Sequence, residues 1–183
     1  MSHLAKHNMY FIAIVCHAEV NKKVLQFKLW MKEQFGCVVA LRSPAHITLL
    51  PPFWQEEGKE IEVQQALQSF SLSMDDVEIN LQGFSHFSNR VLFINVKENP
   101  ALEKIKQQTE KHFVQLFGGL IKTDNRSFHP HVTIANRDLK PSDFIKAWGH
   151  FSNKEFKETF RTRTISLLKL SPDKWNIIGE RKW

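Results

Sequence analysis

Proline and glycine cut this chain into two stretches that run in the same order, and that order limits the folds open to it. In the first stretch, residues 10–15 are β-branched and aromatic, as a strand requires. Residues 21–35 place Val24, Phe27, Met31 and Phe35 at helical spacing, with Asn21 as N-cap and Gly36 as stop. Residues 37–41 and 45–50 then read as strand segments on either side of Ser43-Pro44. Pro51-Pro52 ends the second segment, because proline supplies no ladder donor. Residues 58–70 form a helix through Val63, Leu67 and Phe70, and residues 77–81 alternate toward a strand before Gly83. The second stretch repeats the order. Residues 90–96 are strand-like, and Asn99-Pro100 caps a helix presenting Leu102, Ile105, Phe113 and Leu116, stopped by Gly118-Gly119. A polar loop over 122–127, a strand over 131–135, a helix over 141–151 and a strand over 164–170 follow, and residues 175–183 add a last edge strand.

Each half therefore reads β-α-β-α-β. This predicts an α+β fold in which residues 1–183 form a single domain of two pseudo-symmetric lobes, roughly 8–87 and 88–171, around a central cleft, with a C-terminal strand over 172–183. Fifteen Phe and five Trp against seven Gly supply enough core for one interior. No apolar stretch approaches the roughly 20 residues of a membrane-spanning helix. The apolar run at 9–16 lacks a cleavage pattern and is broken by His17 and Glu19, so it reads as a strand and not as a signal peptide. Cys16 and Cys37 lack CxxC spacing, which fits two reduced thiols in a cytoplasmic protein. A net charge of +6 favours an anionic partner such as a nucleotide or nucleic acid.

Within this order, His46-Ile47-Thr48 and His131-Val132-Thr133 occupy the same ordinal place, one in each half. Side chains alternate across a strand, so each His points the same way as its Thr. Two imidazoles and two hydroxyls meeting in a cleft suit a phosphodiester. One neutral imidazole takes a proton from water, a protonated one gives a proton to the departing oxygen, and the hydroxyls donate to the non-bridging oxygens. A half-buried strand with a polar wet face shows the same pattern without any chemistry. With nine His in the chain, chance alone supplies roughly 0.3 such pairs. Equivalent placement in both halves favours the catalytic reading.

The stretches HITLLPPF and FHPHVTIANR resemble the two signatures of the 2H phosphoesterase superfamily, which includes the proteins called 2′-5′ RNA ligases and the cyclic phosphodiesterases. Leu81-Gln82-Gly83-Phe84 to Phe87, followed by Arg90-Val91-Leu92-Phe93, is similar to the family's Gly-x-Phe stretch and central strand, so the resemblance covers most of the chain. It implies a bilobal α+β fold with antiparallel sheets and a central cleft. It also implies a phosphodiesterase without metal or cofactor that hydrolyses 2′,3′-cyclic phosphates, of nucleotides or RNA ends, or 2′-5′ linkages, with 2′-5′ RNA ligation as the reverse reaction. By the same resemblance His46 and His131 are the acid and base, and Thr48 and Thr133 bind phosphate. Family members often carry arginine three positions after the second motif's Thr; this chain has Asn136 there and Arg137 one step later, a candidate substrate-binding residue if a bulge intervenes, since on a regular strand it faces the other way. The alternative is a non-catalytic RNA- or nucleotide-binding module on the same fold. A monomer is expected.

Other residues carry weaker signals. His129 shares a face with His131 and reads as a cleft-edge, substrate-binding histidine or, with His46, as part of a metal site, against which the resemblance argues. Among Phe53, Phe84 and Phe87, core packing is the plain reading, and Phe87 is the strongest candidate for a cleft wall against which a base stacks. Arg161 and Arg163 alternate with threonines as either a basic face or a solvated edge. Lys104, Lys106 and Lys111 read as the wet side of their helix.

Overall fold

The computed structural model describes residues 6–123 and 127–183, so residues 124–126 of the expected polar loop lie outside the described residues. The first half runs β1 (His7–Val15), α1 (Ala18–Phe35), β2 (His46–Glu56), α2 (Glu60–Ser69) and β3 (Val77–Phe87). The second runs β4 (Val91–Val96), α3 (Pro100–Phe117), β5 (His131–Ala135), α4 (Pro141–Phe151), β6 (Lys157–Thr162), β7 (Thr164–Leu170) and β8 (Trp175–Lys182). Asn99 caps α3 as its sequence predicts, its Oδ1 accepting the N–H groups of Ala101 and Leu102, with Pro100 in the first turn.

The strands form two four-stranded antiparallel sheets, ordered β2-β1-β7-β8 and β5-β4-β3-β6. The two orders correspond position by position, with one exchange: β3, from the first half, lies beside β4, and β7, from the second half, lies beside β1. The boundary expected between residues 87 and 88 therefore does not divide the sheets. The exchange is invisible to local patterning because both exchanged strands are apolar and would fit either sheet. Helices cross over in the same way. Phe27 of α1 meets Phe84 of β3 edge-on at 5.1 Å and Phe151 of α4 at 5.9 Å, so these helices cover the second sheet. Phe113 of α3 lies 6.3 Å from Phe53 of β2, and His112 of α3 hydrogen-bonds the Ala66 carbonyl of α2 at 2.8 Å, so α2 and α3 cover the first. One continuous core joins Ile12 and Ile14 of the first sheet to Ile79 and Leu81 of the second. Its consequence for function is positional: β2 and β5 are left as outer strands, and they contact each other where the sheets meet.

Three local expectations are corrected. Pro51-Pro52 does not end its strand. Register passes from Tyr10 opposite Phe53 to Ile12 opposite Leu50, so β2 bulges at the prolines, and on an outer strand their missing donors leave no ladder unfilled. Residues 37–41 are not a strand; Val39–Arg42 is a 3₁₀ turn, held from a distance by the Asp138 carboxylate, which accepts the Val38 and Val39 N–H groups at 2.6 and 2.8 Å. Asn21 is not a cap, since α1 begins at Ala18. Its side chain donates to the Cys16 carbonyl and accepts the Ala45 N–H at 2.6 Å, tying the end of β1 to the residue before His46. For Arg161 and Arg163 the solvated-edge alternative is the one that fits, with Arg161 in β6 and Arg163 just past its end. The first pairs with Asp76 at 3.0 Å on an outer strand and the second donates to the Trp183 carbonyl at 2.8 Å, so they share no basic face.

Both cysteines are buried, and burial pushes the Cys16 thiol up to about 12 and the Cys37 thiol to about 11. Among the described residues no helix is long and apolar enough to cross a membrane.

Candidate active site

The two His-x-Thr segments begin β2 and β5, and alternation works as the sequence requires. Ile47 and Leu49 on β2, and Val132 and Ile134 on β5, are buried, while His46, Thr48, His131 and Thr133 are half-buried. The contact between the two strands brings all four to one place, close enough for charge on the His131 ring to bear on His46. A cavity of about 590 Å³ has Thr48, His131 and Thr133 in its wall, while His46 is not among its lining residues.

Each imidazole is held by the same local bond. His46 Nδ1 lies 2.8 Å from the Pro44 carbonyl oxygen and His131 Nδ1 lies 2.7 Å from that of His129. A carbonyl only accepts, so Nδ1 carries the hydrogen in both rings, and in the neutral form each Nε2 keeps a free lone pair. Burial sets the protonation. It drives His46 down to about 4 against the opposing pull of the Pro44 carbonyl, and the Lys28 and His131 charges push the same way. Burial also lowers His131, opposed by the His129 carbonyl and reinforced by the His129 ring. Both imidazoles are neutral at rest near pH 7.

Phe87, 37% exposed, forms part of the cavity wall, its ring edge-on to His131 at 5.0 Å and to His129 at 5.2 Å. His129 stands in the same wall. Phe53 and Phe84 are buried in the core. Asn136 lines the cavity, whereas Arg137, exposed just past β5 in a left-handed conformation (φ 49°), is not in its wall. The turn there aims the chain so that Asp138 reaches the 3₁₀ turn at Val39–Arg42, which leaves Arg137 directed away.

One wall residue departs from its sequence reading. Lys106 of α3 lines the cavity together with Glu110, to which it is ion-paired, and each side chain is only 17% exposed. Lys before Glu at i, i+4 is the weaker orientation for helix stability, so the pair serves the cavity more than the helix. Among the described residues it is the cavity's sole lysine or arginine. Its sequence signal, one lysine among several on a polar face, does not distinguish it from Lys104 or Lys111. Among the described residues, no three His, Cys, Asp or Glu side chains are grouped to hold a metal ion.

The model of the 2′-5′ RNA ligase superfamily matches residues 18–174. A protein of Geobacillus sp. (strain WCH70) bearing a provisional phosphoesterase name is 26% identical over 161 residues, covering 86% of this chain and 88% of that one. Among solved structures, Escherichia coli LigT complexed with 3′-AMP superposes with a TM-score of 0.70 at 16% identity, covering 97% of this chain and 98% of that one. The protein TT0787 of Thermus thermophilus superposes with a TM-score of 0.67 at 16% identity, covering 95% of this chain and 97% of that one.

Proposed function

Since the chain belongs to the 2′-5′ RNA ligase superfamily, we propose that it is a phosphodiesterase that opens 2′,3′-cyclic phosphates or cleaves 2′-5′ linkages with His46 and His131 as its acid–base pair. The observation that carries this is the matched pinning of the two rings. Both Nδ1–H groups are committed to carbonyls, so both Nε2 atoms are the groups left for proton transfer. A nucleophilic water loses its proton to one Nε2 while the leaving oxygen receives one from the other. The phosphate's own charge supplies the missing proton's stabilisation, because an anion beside two neutral imidazoles raises the pKa of each. Thr48 and Thr133 donate to the non-bridging oxygens, whose charge grows in the transition state. Lys106, though ion-paired with Glu110, presents an ammonium donor in the cavity wall, where Arg137 does not stand, and Phe87 and His129 offer flat surfaces to the base. Microscopic reversibility lets the same pair join a cyclic phosphate end to a hydroxyl, which is 2′-5′ ligation. No step in this scheme calls for a metal.

The test is hydrolysis of the four nucleoside 2′,3′-cyclic monophosphates in EDTA by wild type and by the His46→Ala/His131→Ala double variant. Turnover by wild type alone supports the proposal. Equal turnover by both places the chemistry elsewhere, and binding without turnover by either favours a nucleotide-binding module.

A further inference from the structure

A second pocket, of about 490 Å³, lies between α1, the turn before β2 and the β7–β8 hairpin. Its wall carries Lys22, Lys28, Arg42 and Lys174 together with the Trp175 ring, and among the described residues no carboxylate lines it. Lys28 is the telling member. It is 4% exposed, burial pushes its ammonium down to about 8, and it donates to the Ser43 carbonyl at 3.0 Å. An ammonium has three donors, and a buried one left short of acceptors is costly, so an anion in the pocket completes what the protein leaves undone.

Two links join this pocket to the catalytic pair. Pro44 and Ala45 stand in its wall and immediately precede His46, whose ring is pinned to the Pro44 carbonyl. Trp175 lies edge-on to Phe11 at 4.6 Å, and Phe11 in turn lies 4.9 Å from the His46 ring. We propose that this pocket is a second nucleotide subsite, which takes the phosphate and base of the residue adjoining the scissile phosphodiester, so that the preferred substrate is an RNA strand end. Lys28, Arg42 and Lys174 receive the neighbouring phosphate, and the indole of Trp175 gives its base a face on which to stack. The pocket's size suits a nucleotide unit. This assignment rests on the phosphodiesterase reading for the polarity of the strand, but the subsite itself is testable without turnover.

The experiment measures equilibrium binding of two probes, 3′-AMP and a 2′-O-methylated di-adenylate ending in a 3′-phosphate, to wild type, Arg42→Ala/Lys174→Ala and Lys28→Met. Wild type is expected to hold the dinucleotide at least about tenfold more tightly than the mononucleotide. The double variant should lose that preference, and its log–log salt slope for the dinucleotide should fall by about 0.7, for one phosphate of a single strand no longer neutralised. Lys28→Met, checked for folding by circular dichroism, should lose it as well. Equal affinity of wild type for the two probes, or a dinucleotide preference that survives in the double variant, overturns the proposal. Failure of the cyclic-phosphate assay with the preference intact removes the catalytic reading and leaves the subsite; the reverse pattern leaves a phosphodiesterase confined to mononucleotides.

Discussion

The two His-x-Thr strands are alike in their bonds and unlike in their surroundings. Each imidazole donates to the carbonyl two residues upstream, and each lies about as far from a phenylalanine: His46 4.9 Å from Phe11, His131 5.0 Å from Phe93. Beyond that the halves diverge. His46 starts an eleven-residue strand and sits near buried Lys28, whereas His131 starts a five-residue strand and shares the cavity wall with His129 and Phe87. Most of that wall comes from the second half of the chain, with Thr48, Leu49 and Pro51 as the share of β2. A repeated motif thus fixes tautomer and direction, while the unrepeated surroundings fix proton affinity.

The largest effect should come from removing either ring. His46→Ala and His131→Ala are each expected to lower turnover at least about 100-fold, since a general acid or base contributes 10²–10⁴-fold, with the circular dichroism spectrum retained. A loss confined to one of them would break the equivalence of the two strands. Stability should respond to acid unequally. The folded pKa of His46, about 4, lies below its unfolded value near 6.5, so the unfolded chain binds the proton first and stability is lost as pH falls from 6.5 toward 4. The full effect is on the order of 3 kcal/mol. Urea titrations down to pH 4.5 stay above the range of Glu60, which its bond to Lys169 holds below the usual carboxylate value. His46→Gln should flatten this slope more than His131→Gln does. The hydroxyls come next: Thr48→Val and Thr133→Val should each cost about tenfold, the loss of a donor to a charged oxygen, and less than the neighbouring histidine. Smallest is Lys106→Met, expected to raise KM a few-fold with kcat little changed, as a charge that binds ground and transition states alike would.

Much of this is legible in the chain. Strand β5, helix α4 and the Asn99 cap follow from alternation, helical spacing and capping chemistry, all of which act within a few residues. So does the shared face of each His and Thr. What patterning misses is set across the fold. The bulge at Pro51-Pro52 depends on β2 being an outer strand, the 3₁₀ turn at Val39 depends on Asp138 about a hundred residues away, and the exchange of β3 and β7 depends on pairing between strands far apart in the chain. Lys106 and Lys28 illustrate the same limit, for a lysine's neighbours across a cavity leave no mark on its own stretch of sequence.

The pairing of the two strands is tested most directly by the pH dependence of kcat/KM for a nucleoside 2′,3′-cyclic monophosphate, which reports the free enzyme's acid and base. One ring must be neutral and the other protonated, so the two depressed pKa values predict a bell with its maximum on the acid side, between about 4 and 6.5, falling tenfold per pH unit above it. A rate that stays flat from pH 5 to 8 would contradict an acid–base pair formed by His46 and His131.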